Sequence, residues 1–332
     1  VPQMKRYFRY EFVKNLKMLG LLTAICSVVY VVTMASSRLV APGGANRPWT
    51  SQIGVIYTLL GILSFIVPAL MYSFKMNKRS ADVFYSLPHK REKIYLVITL
   101  VGLILGLLPY TVAYFLGFIT VALRENYYRL LWYLPGYFGG LFFGICMYGV
   151  FAFAFTRANR VIDGVIFMGF YALVGVFAGD VTLRLIGAGS SAYAIWKDIS
   201  ESFSPVSCFI QWNENIDSLL RDYEVSWNLP MFLFPFLFAA AGYAAFFFLI
   251  RYEKAENSEQ NSDSWFGYRT MIPVYTALLI GISGGGWIFV ALFAVPAIVL
   301  TVVYTRKVLF SWKYWLMIAI GVAAGLALNA LI

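Results

Sequence analysis

The chain has 332 residues, of which 61% are hydrophobic, 18% aromatic and only 13% charged, and its formal net charge is +10. Soluble domains carry about 25% charged residues, so this composition excludes a soluble protein and predicts an all-α integral membrane protein. Three scattered cysteines and a single histidine exclude a disulfide framework, a zinc site and a multi-histidine metal site.

Residues 1–17 predict an amphipathic helix that lies in the membrane interface. Phe8, Phe12 and Leu16 recur at every fourth position, while the basic residues of this stretch lie largely on other faces. Such a helix lies in the headgroup plane with its apolar side chains facing the lipid. We therefore expect an interfacial helix before the first membrane span.

Six nearly uncharged runs follow, and each is long enough to cross a membrane, which takes about 17–25 residues. They predict a core of six spans over residues 18–250, and the apolar block at 270–332 predicts two or three further spans. The predicted spans are 18–36, 51–74, 94–122, 132–156, 163–185 and 230–250, followed by 270–286, 287–305 and 314–332.

The segment 75–93 is the longest strongly charged interruption in the first two-thirds of the chain. It contains six basic and two acidic residues, and Val83, Phe84 and Leu87 within it share one face of a short predicted helix. Ser80 is a candidate N-cap, and the proline after Leu87 ends the helix. The pattern predicts a docking element whose partner is either another protein or lipid headgroups.

The segment 186–229 is acidic, rich in aromatic residues and interrupted in its middle by Ser204-Pro205. The interruption predicts two short helices that lie on the outer face of the membrane or dip into it. An interfacial loop anchored by its tryptophans and a gating element both fit this pattern.

Residues 251–269 are predicted to form a cytoplasmic linker between the core and the C-terminal block. Within that block, Gly281–Gly286 predicts either a hairpin at the outer surface or a flexible point in one long, bent span. This glycine-rich stretch lacks the lysine and the preceding strand of a phosphate loop, so we expect no nucleotide binding there.

The distribution of basic residues predicts the orientation of the chain. If the N-terminus is cytoplasmic, most of the 26 lysine and arginine residues fall in cytoplasmic segments. Cytoplasmic loops of membrane proteins carry an excess of these residues. We therefore predict a multi-pass protein of the plasma membrane with a cytoplasmic N-terminus, and no nucleic-acid partner.

The predicted spans contain no Asp, Glu, Lys, Arg or His in their central parts, whereas proton relays and voltage sensors require such groups. Asp163 falls at the start of a span, and Asp180 and Arg184 are spaced to pair with each other. His89 has no evident carboxylate partner, and no nucleophile or metalloprotease motif occurs. We therefore predict no catalytic residue, no metal and no cofactor, so that energy for transport must come from another chain.

The residues Arg79 to Arg91 follow the pattern R-x-x-D-x-x-x-S-L-P-x-x-R between the second and third predicted spans. This pattern resembles one in permease subunits of type 2 ABC exporters of Gram-positive bacteria. The layout is similar to the fold shared by O-antigen exporters and ABCG transporters, and the similarity covers residues 4–260. The length and the extra C-terminal spans resemble permeases of cell-envelope and peptide-antibiotic-responsive operons.

The resemblance implies a permease that works as a dimer, or paired with a related permease, above two separate ATPase subunits. The helix in segment 75–93 would be the coupling helix, and the N-terminal helix would be the connecting helix that touches the same partner. Apolar side chains would anchor the contact and charged ones would fix its register. The residues expected to contact the ATPase are Arg79, Asp82, Val83, Phe84, Ser86, Leu87 and Arg91.

The sequence thus predicts a non-enzymatic permease subunit of an ATP-driven exporter that moves a lipid, a peptide or an antibiotic-like substrate. The alternatives are a transporter or channel that works without an ATPase, a membrane-embedded enzyme, and a membrane scaffold. A scaffold would explain the lysines of segment 75–93 by the positive-inside rule alone. It would not explain the apolar residues of the predicted helix.

Overall fold

A computed structural model of the chain is built from α-helices, and the residues that it describes contain no β-strand. Leu87, which the resemblance places at the ATPase contact, and His89 lie outside the described residues. The structure describes residues 2–36, 53–86, 90–123, 133–187, 192–220, 225, 228–253, 256, 258–262, 264–283, 287–306 and 312–332.

Thirteen α-helices occur within these described ranges. A short 3₁₀ turn, Ser73–Met76, follows the third helix, and a second one, Ile250–Tyr252, follows the tenth. The helices are α1 (Pro2–Lys14), α2 (Leu16–Ser36), α3 (Ile53–Tyr72), α4 (Lys78–Tyr85), α5 (Arg91–Ala122), α6 (Tyr133–Thr156), α7 (Val161–Ile186), α8 (Tyr193–Glu201), α9 (Pro205–Leu220), α10 (Pro230–Leu249), α11 (Tyr268–Ile282), α12 (Trp287–Thr305) and α13 (Trp312–Leu331).

In the part of the chain that the structure describes, seven helices are long and apolar enough to cross a membrane. They are α2, α3 with the turn that follows it, α5, α6, α7, α10 with its following turn, and α13. The first six lie within a few residues of the six core spans predicted from the sequence. The described apolar parts of α11 and α12 are shorter. The chain is therefore an all-α, multi-pass membrane protein.

Helix α6 is the most buried of these helices and contacts α3, α5, α7, α9 and α10. Its glycines receive aromatic rings from the neighbouring helices. A Cβ atom at Gly139 would overlap the ring of Trp212, and one at Gly140 would overlap Tyr110. Small residues let neighbouring helices approach closely inside a membrane. Helix α6 is therefore the central element against which the core spans pack.

The C-terminal block forms a unit of three helices. Helices α11 and α12 are antiparallel, because Tyr268 at the start of α11 stacks on Tyr304 at the end of α12, with ring centroids 5.2 Å apart. The two helices therefore run in opposite directions, so the single bent span is wrong. Residues 284–286 of the glycine-rich stretch lie outside the described residues, and a hairpin at the outer surface stays a prediction. Helix α13 packs on α11 through Gly321 and Gly325, where added Cβ atoms would meet the backbone of α11.

Helix α1 packs against α5 at the start of the chain. Phe8 and Phe12 stack with ring centroids 6.3 Å apart, as their spacing predicted, and both pack against the core. A turn at Asn15, whose side-chain amide donates to the carbonyl of Glu11 at 2.8 Å, ends the helix. Leu16 therefore begins α2 and is half-exposed there, rather than continuing the apolar face of α1.

One end of the bundle gathers charged side chains from distant parts of the chain, and we call it the basic end. Lys14 of α1 lies 5.5 Å from the ring centroid of Phe84 in α4. Lys75 and Arg157, which follow α3 and α6, both reach Glu253, which follows α10. The ends of five helices, α1, α3, α4, α6 and α10, therefore meet here.

Candidate functional site

Helix α4 is the short helix predicted within the charged segment, and its N-cap is Asn77. The side-chain oxygen of Asn77 accepts hydrogen bonds from the backbone N–H groups of Arg79 at 3.0 Å and Ser80 at 3.5 Å. An N-cap residue takes an extended backbone conformation, as Asn77 does. The prediction that Ser80 caps the helix is therefore wrong, because the N-cap lies three residues earlier, at Asn77.

The two adjacent apolar residues of α4 have different surroundings. The ring of Phe84 lies 4.1 Å from that of Phe74, between centroids, and also packs beneath the ammonium group of Lys14. Val83 is 63% exposed. Consecutive helical residues point about 100° apart, which accounts for this division. Phe84 therefore packs α4 against the rest of the bundle, and Val83 remains accessible to another protein.

Four of the residues expected at the ATPase contact form one exposed surface. Arg79, Asp82, Val83 and Ser86 fall at positions i, i+3, i+4 and i+7, which places them on the same side of α4. All four are exposed. We call them the exposed face of α4. It combines a cation, an anion, a hydroxyl and one apolar side chain.

Behind α4, Glu253 is the centre of a buried ionic cluster. Its carboxylate Oε1 accepts from Lys75 Nζ at 2.7 Å and from Arg157 at 2.6 Å, and its backbone carbonyl accepts from the Arg91 guanidinium. The side chains of Lys75, Arg157 and Glu253 are only 8%, 8% and 11% exposed. We call Lys75, Arg91, Arg157 and Glu253 the Glu253 cluster. Because buried charges are costly without partners, it holds the ends of α3, α5, α6 and α10 together.

The predicted linker after α10 also binds to the start of α4. Ser258 donates from Oγ to the carbonyl of Lys75 at 2.7 Å, and the backbone N–H of Lys78 donates to a carboxylate oxygen of Glu259 at 3.3 Å. Arg160, which precedes α7, donates to the carbonyl of Glu259 at 2.8 Å. The linker is therefore part of the candidate site and joins α4 to the loop between α6 and α7.

Asp163 lies in the first turn of α7, as the sequence indicated, and its carboxylate is buried. One oxygen accepts from Ser262 Oγ at 2.6 Å and the other from the hydroxyl of Tyr268 at 2.9 Å. Both partners lie about a hundred residues further along the chain. This pair of hydrogen bonds fixes the start of α11 to the start of α7, next to the Glu253 cluster.

At the opposite end of the bundle, α8 and α9 form a helical hairpin whose tip contains the predicted break. Pro205 is the first residue of α9, a position that suits proline because its missing N–H would be unpaired anyway. Ser204 Oγ accepts from the N–H of Val206 at 3.2 Å and donates to the carbonyl of Ala172 in α7 at 2.9 Å. The tip is therefore bonded to a membrane-spanning helix.

The bond to Ala172 shows how far the hairpin enters the bundle. Helix α7 has 26 residues, so it is about 39 Å long, and Ala172 lies about 16 Å from its start. Gly175 and Gly179 of α7 allow this approach, because added Cβ atoms would overlap the carbonyl oxygens of Phe203 and Ser200. The two predicted helices are confirmed, and the hairpin reaches about the middle of the span.

A cavity of about 610 Å³ lies beside the hairpin, between α3, α6 and α9, and we call it the α3–α9 cavity. Its lining is almost entirely apolar, with Phe65 and Phe209 among its walls and Asn213 as a polar exception. Ile62 and Ile66, which line it, are exposed on the surface of the bundle. The cavity is therefore accessible sideways from the lipid.

The structure also locates the other polar residues that were singled out from the sequence. Asp180 and Arg184 form the predicted pair at 3.0 Å, and both are about half-exposed. Among the described residues, no group of three or more His, Cys, Asp or Glu side chains is placed to hold a metal ion. The sequence interpretation missed the roles of Glu253, Ser258 and Glu259. Their only signal was a cluster of polar residues after α10, which also fits an ordinary linker.

No family model, no curated protein and no solved structure matches this chain. What it does must therefore be inferred from its own residues and geometry.

Proposed function

We propose that this chain is the membrane-spanning permease subunit of an ATP-binding-cassette exporter and that separate ATPase subunits supply its energy. The observation that carries this proposal is the position of α4. Its exposed face presents Arg79, Asp82, Val83 and Ser86 away from the bundle. The start of α4 is bonded to the linker and follows Lys75 of the Glu253 cluster, and Phe84 packs on Phe74. Such a helix can receive a partner and transmit its movement.

The connections of α4 support a mechanical role. Helix α4 follows α3 after one short turn, and the Glu253 cluster ties that turn to the ends of α5, α6 and α10. A displacement of α4 by ATP-driven closure of the partner would therefore move four span ends together. Movements of this kind, in which packed helices shift as bodies, are a common form of conformational switching.

In this proposal the basic end faces the cytoplasm, because positively charged segments are retained on that side. The chain then has six core spans and three C-terminal spans, α11, α12 and α13, with its N-terminus inside a Gram-positive plasma membrane. The α8–α9 hairpin lies on the outer side and gates the exit. Helix α1 is the connecting helix, and its Lys14 contact with Phe84 brings it next to α4.

The α3–α9 cavity is the proposed contact for the apolar part of the substrate. Its size, its apolar walls and its lateral opening suit a lipid, or the apolar part of a peptide or an antibiotic-like molecule. A second copy of the chain, or a related permease, would complete the translocation path. The outer end of the hairpin would then control release on the far side.

A transporter or channel that needs no ATPase is the second candidate. It would need an internal energy source or a polar conduit. Helices α3, α6 and α10 contain no Asp, Glu, Lys, Arg or His, and the residues of these types in α5 are confined to its first turn. Charged groups within spans mark ion and proton pathways. This distribution favours an energy source outside the chain.

The substitution Val83→Asp tests the proposal. Because Val83 is exposed, the change should leave the chain folded, and a carboxylate at the centre of the contact should prevent the ATPase from binding. We expect the detergent-purified variant to lose at least about tenfold in ATPase affinity, measured by co-purification and by stimulated ATP hydrolysis. Leu123→Asp is the matched control, because Leu123 is an exposed leucine beyond the end of α5 distant from α4. Equal ATPase binding by both variants would contradict the proposal.

A further inference from the structure

A polar cavity of about 350 Å³ lies at the basic end, next to the Glu253 cluster, and we call it the polar cavity. The charged side chains that line it are Lys75, Arg157 and Glu253, and amides such as Asn159 and Gln260 complete its walls. Two cations and one carboxylate leave a positive excess among these lining residues. The cavity therefore favours an anionic ligand.

Two buried atoms in this cluster lack hydrogen bonds within the described part of the chain. Arg157 Nε is a donor without an acceptor, and Glu253 Oε2 is an acceptor without a donor. Buried polar atoms are nearly always paired, so each one calls for an explanation. A ligand that offers an anionic oxygen and a hydroxyl or ammonium donor would satisfy both.

A separate apolar cavity of about 330 Å³ lies further toward the membrane interior between α6, α7 and α10, and we call it the α6–α10 cavity. Phe153 lines it one helical turn before Arg157, and Ala245 lines it one turn before Leu249 of the polar cavity. The Arg157 guanidinium, which borders the polar cavity, lies 5.8 Å from the ring centroid of Phe153, which borders the α6–α10 cavity.

Exposed aromatic side chains surround the mouth of the polar cavity. Tyr252 lines the cavity and is exposed, and Trp265 and Phe266 are exposed next to Ser264, another lining residue. Aromatic residues are enriched at the level of lipid headgroups, where their amphipathic rings are favoured. The polar cavity therefore lies at headgroup depth and the α6–α10 cavity at acyl-chain depth.

We propose that the two cavities together bind one anionic phospholipid whose headgroup carries hydrogen-bond donors, as phosphatidylglycerol does. Its phosphate accepts hydrogen bonds from Arg157 and Lys75, and a headgroup hydroxyl donates to Glu253. One acyl chain occupies the α6–α10 cavity. A soluble phosphate ester shares the headgroup chemistry, but the adjoining apolar cavity favours the lipid. This inference is independent of the ATPase partner.

Native mass spectrometry of the full chain in detergent tests the proposal, with phosphatidylglycerol and phosphatidylcholine of the same acyl chains added separately. We expect phosphatidylglycerol to bind at least about tenfold more tightly than phosphatidylcholine, which lacks a headgroup donor. Arg157→Gln should remove this preference. Arg251→Gln should preserve it, because Arg251 forms an exposed pair with Glu92 at the same end and does not line the cavity.

A second pair of variants tests the acyl-chain part even if Arg157→Gln fails to fold. Ala245→Phe fills the α6–α10 cavity and should weaken phosphatidylglycerol binding about tenfold, whereas Ala244→Phe, at the exposed neighbouring position, should not. Glycerophosphoglycerol, the headgroup without acyl chains, should not bind. Equal binding of both lipids to the unmodified chain would mean that the cavities hold water or unspecific lipid, and would overturn the proposal. Binding of the soluble headgroup as tight as that of the lipid would overturn it as well.

Discussion

Gly175→Ala is expected to displace the α8–α9 hairpin from the bundle and to lower the free energy of unfolding by about 1–3 kcal/mol. The added Cβ atom would overlap the carbonyl oxygen of Phe203. A backbone carbonyl cannot rotate away as a side chain does, so the hairpin tip must move and its Ser204–Ala172 hydrogen bond must break. Thermal unfolding in detergent measures the loss of stability.

The displacement can also be measured directly with a maleimide reagent. Cys208 lies in α9 and is fully buried, so its thiol should react with maleimide only when the hairpin moves away from α7. Gly169→Ala is the control on the same helix, because a Cβ atom there would meet no neighbouring atom within 4 Å. If Gly175→Ala and Gly169→Ala gave the same unfolding temperature and the same Cys208 labelling, the hairpin would not be seated against α7.

Glu253→Gln is expected to lower the free energy of unfolding by about 3–5 kcal/mol. The substitution keeps the shape of the side chain and removes the charge that compensates Lys75 and Arg157, both of which are buried. Adding Lys75→Met should recover part of the loss, because it removes one of the uncompensated cations. Chemical or thermal unfolding of the purified chain measures both effects.

Glu92→Gln is the matched control for the loss of a carboxylate at the basic end. Glu92 pairs with Arg251 at 2.7 Å, but both side chains are about half-exposed. Exposed ion pairs contribute only about 0–1 kcal/mol, so this change should have little effect. Similar losses for Glu253→Gln and Glu92→Gln would mean that the Glu253 cluster does not hold the span ends together.

The positions of the spans were predictable from the sequence because the bilayer sets both their length and their composition. The six core spans and the two hairpin helices accordingly lie close to their predicted places. The depth of the hairpin was not predicted, although Gly175 and Gly179 in α7 carry a signal for it. Small residues four positions apart mark a close approach of backbones in membrane proteins, and here the approaching element is the hairpin.

The details of α4 were harder to predict, because they depend on residues elsewhere. Asn77 and Ser80 are both good N-cap residues, and only the backbone decides between them. The inward direction of Phe84 follows from the position of Phe74, which the helical pattern alone does not give. The Glu253 cluster joins residues up to 178 positions apart. From the sequence, each of its charges fits an ordinary interfacial residue at the end of a span.

The proposed function joins these observations into one sequence of events. In this proposal, ATP-driven closure of the partner would displace α4 through its exposed face, and the Glu253 cluster would transmit the displacement to α5, α6 and α10. Helix α6 contacts both α9 and α3, which border the α3–α9 cavity. A movement that begins at the basic end can therefore reach the hairpin and the proposed substrate contact.

The most direct test of the ATPase partner is a cross-link from the exposed face of α4. The native cysteines Cys26, Cys146 and Cys208 are buried, so an introduced cysteine can be modified selectively. We would express Val83→Cys and, separately, Leu123→Cys together with a candidate partner ATPase, and treat membranes with a short maleimide–succinimide reagent. A covalent adduct with the ATPase from position 83, and none from position 123, is the predicted result. The absence of an adduct from position 83, or equal adducts from both positions, would contradict the proposal that an ATPase binds the exposed face of α4.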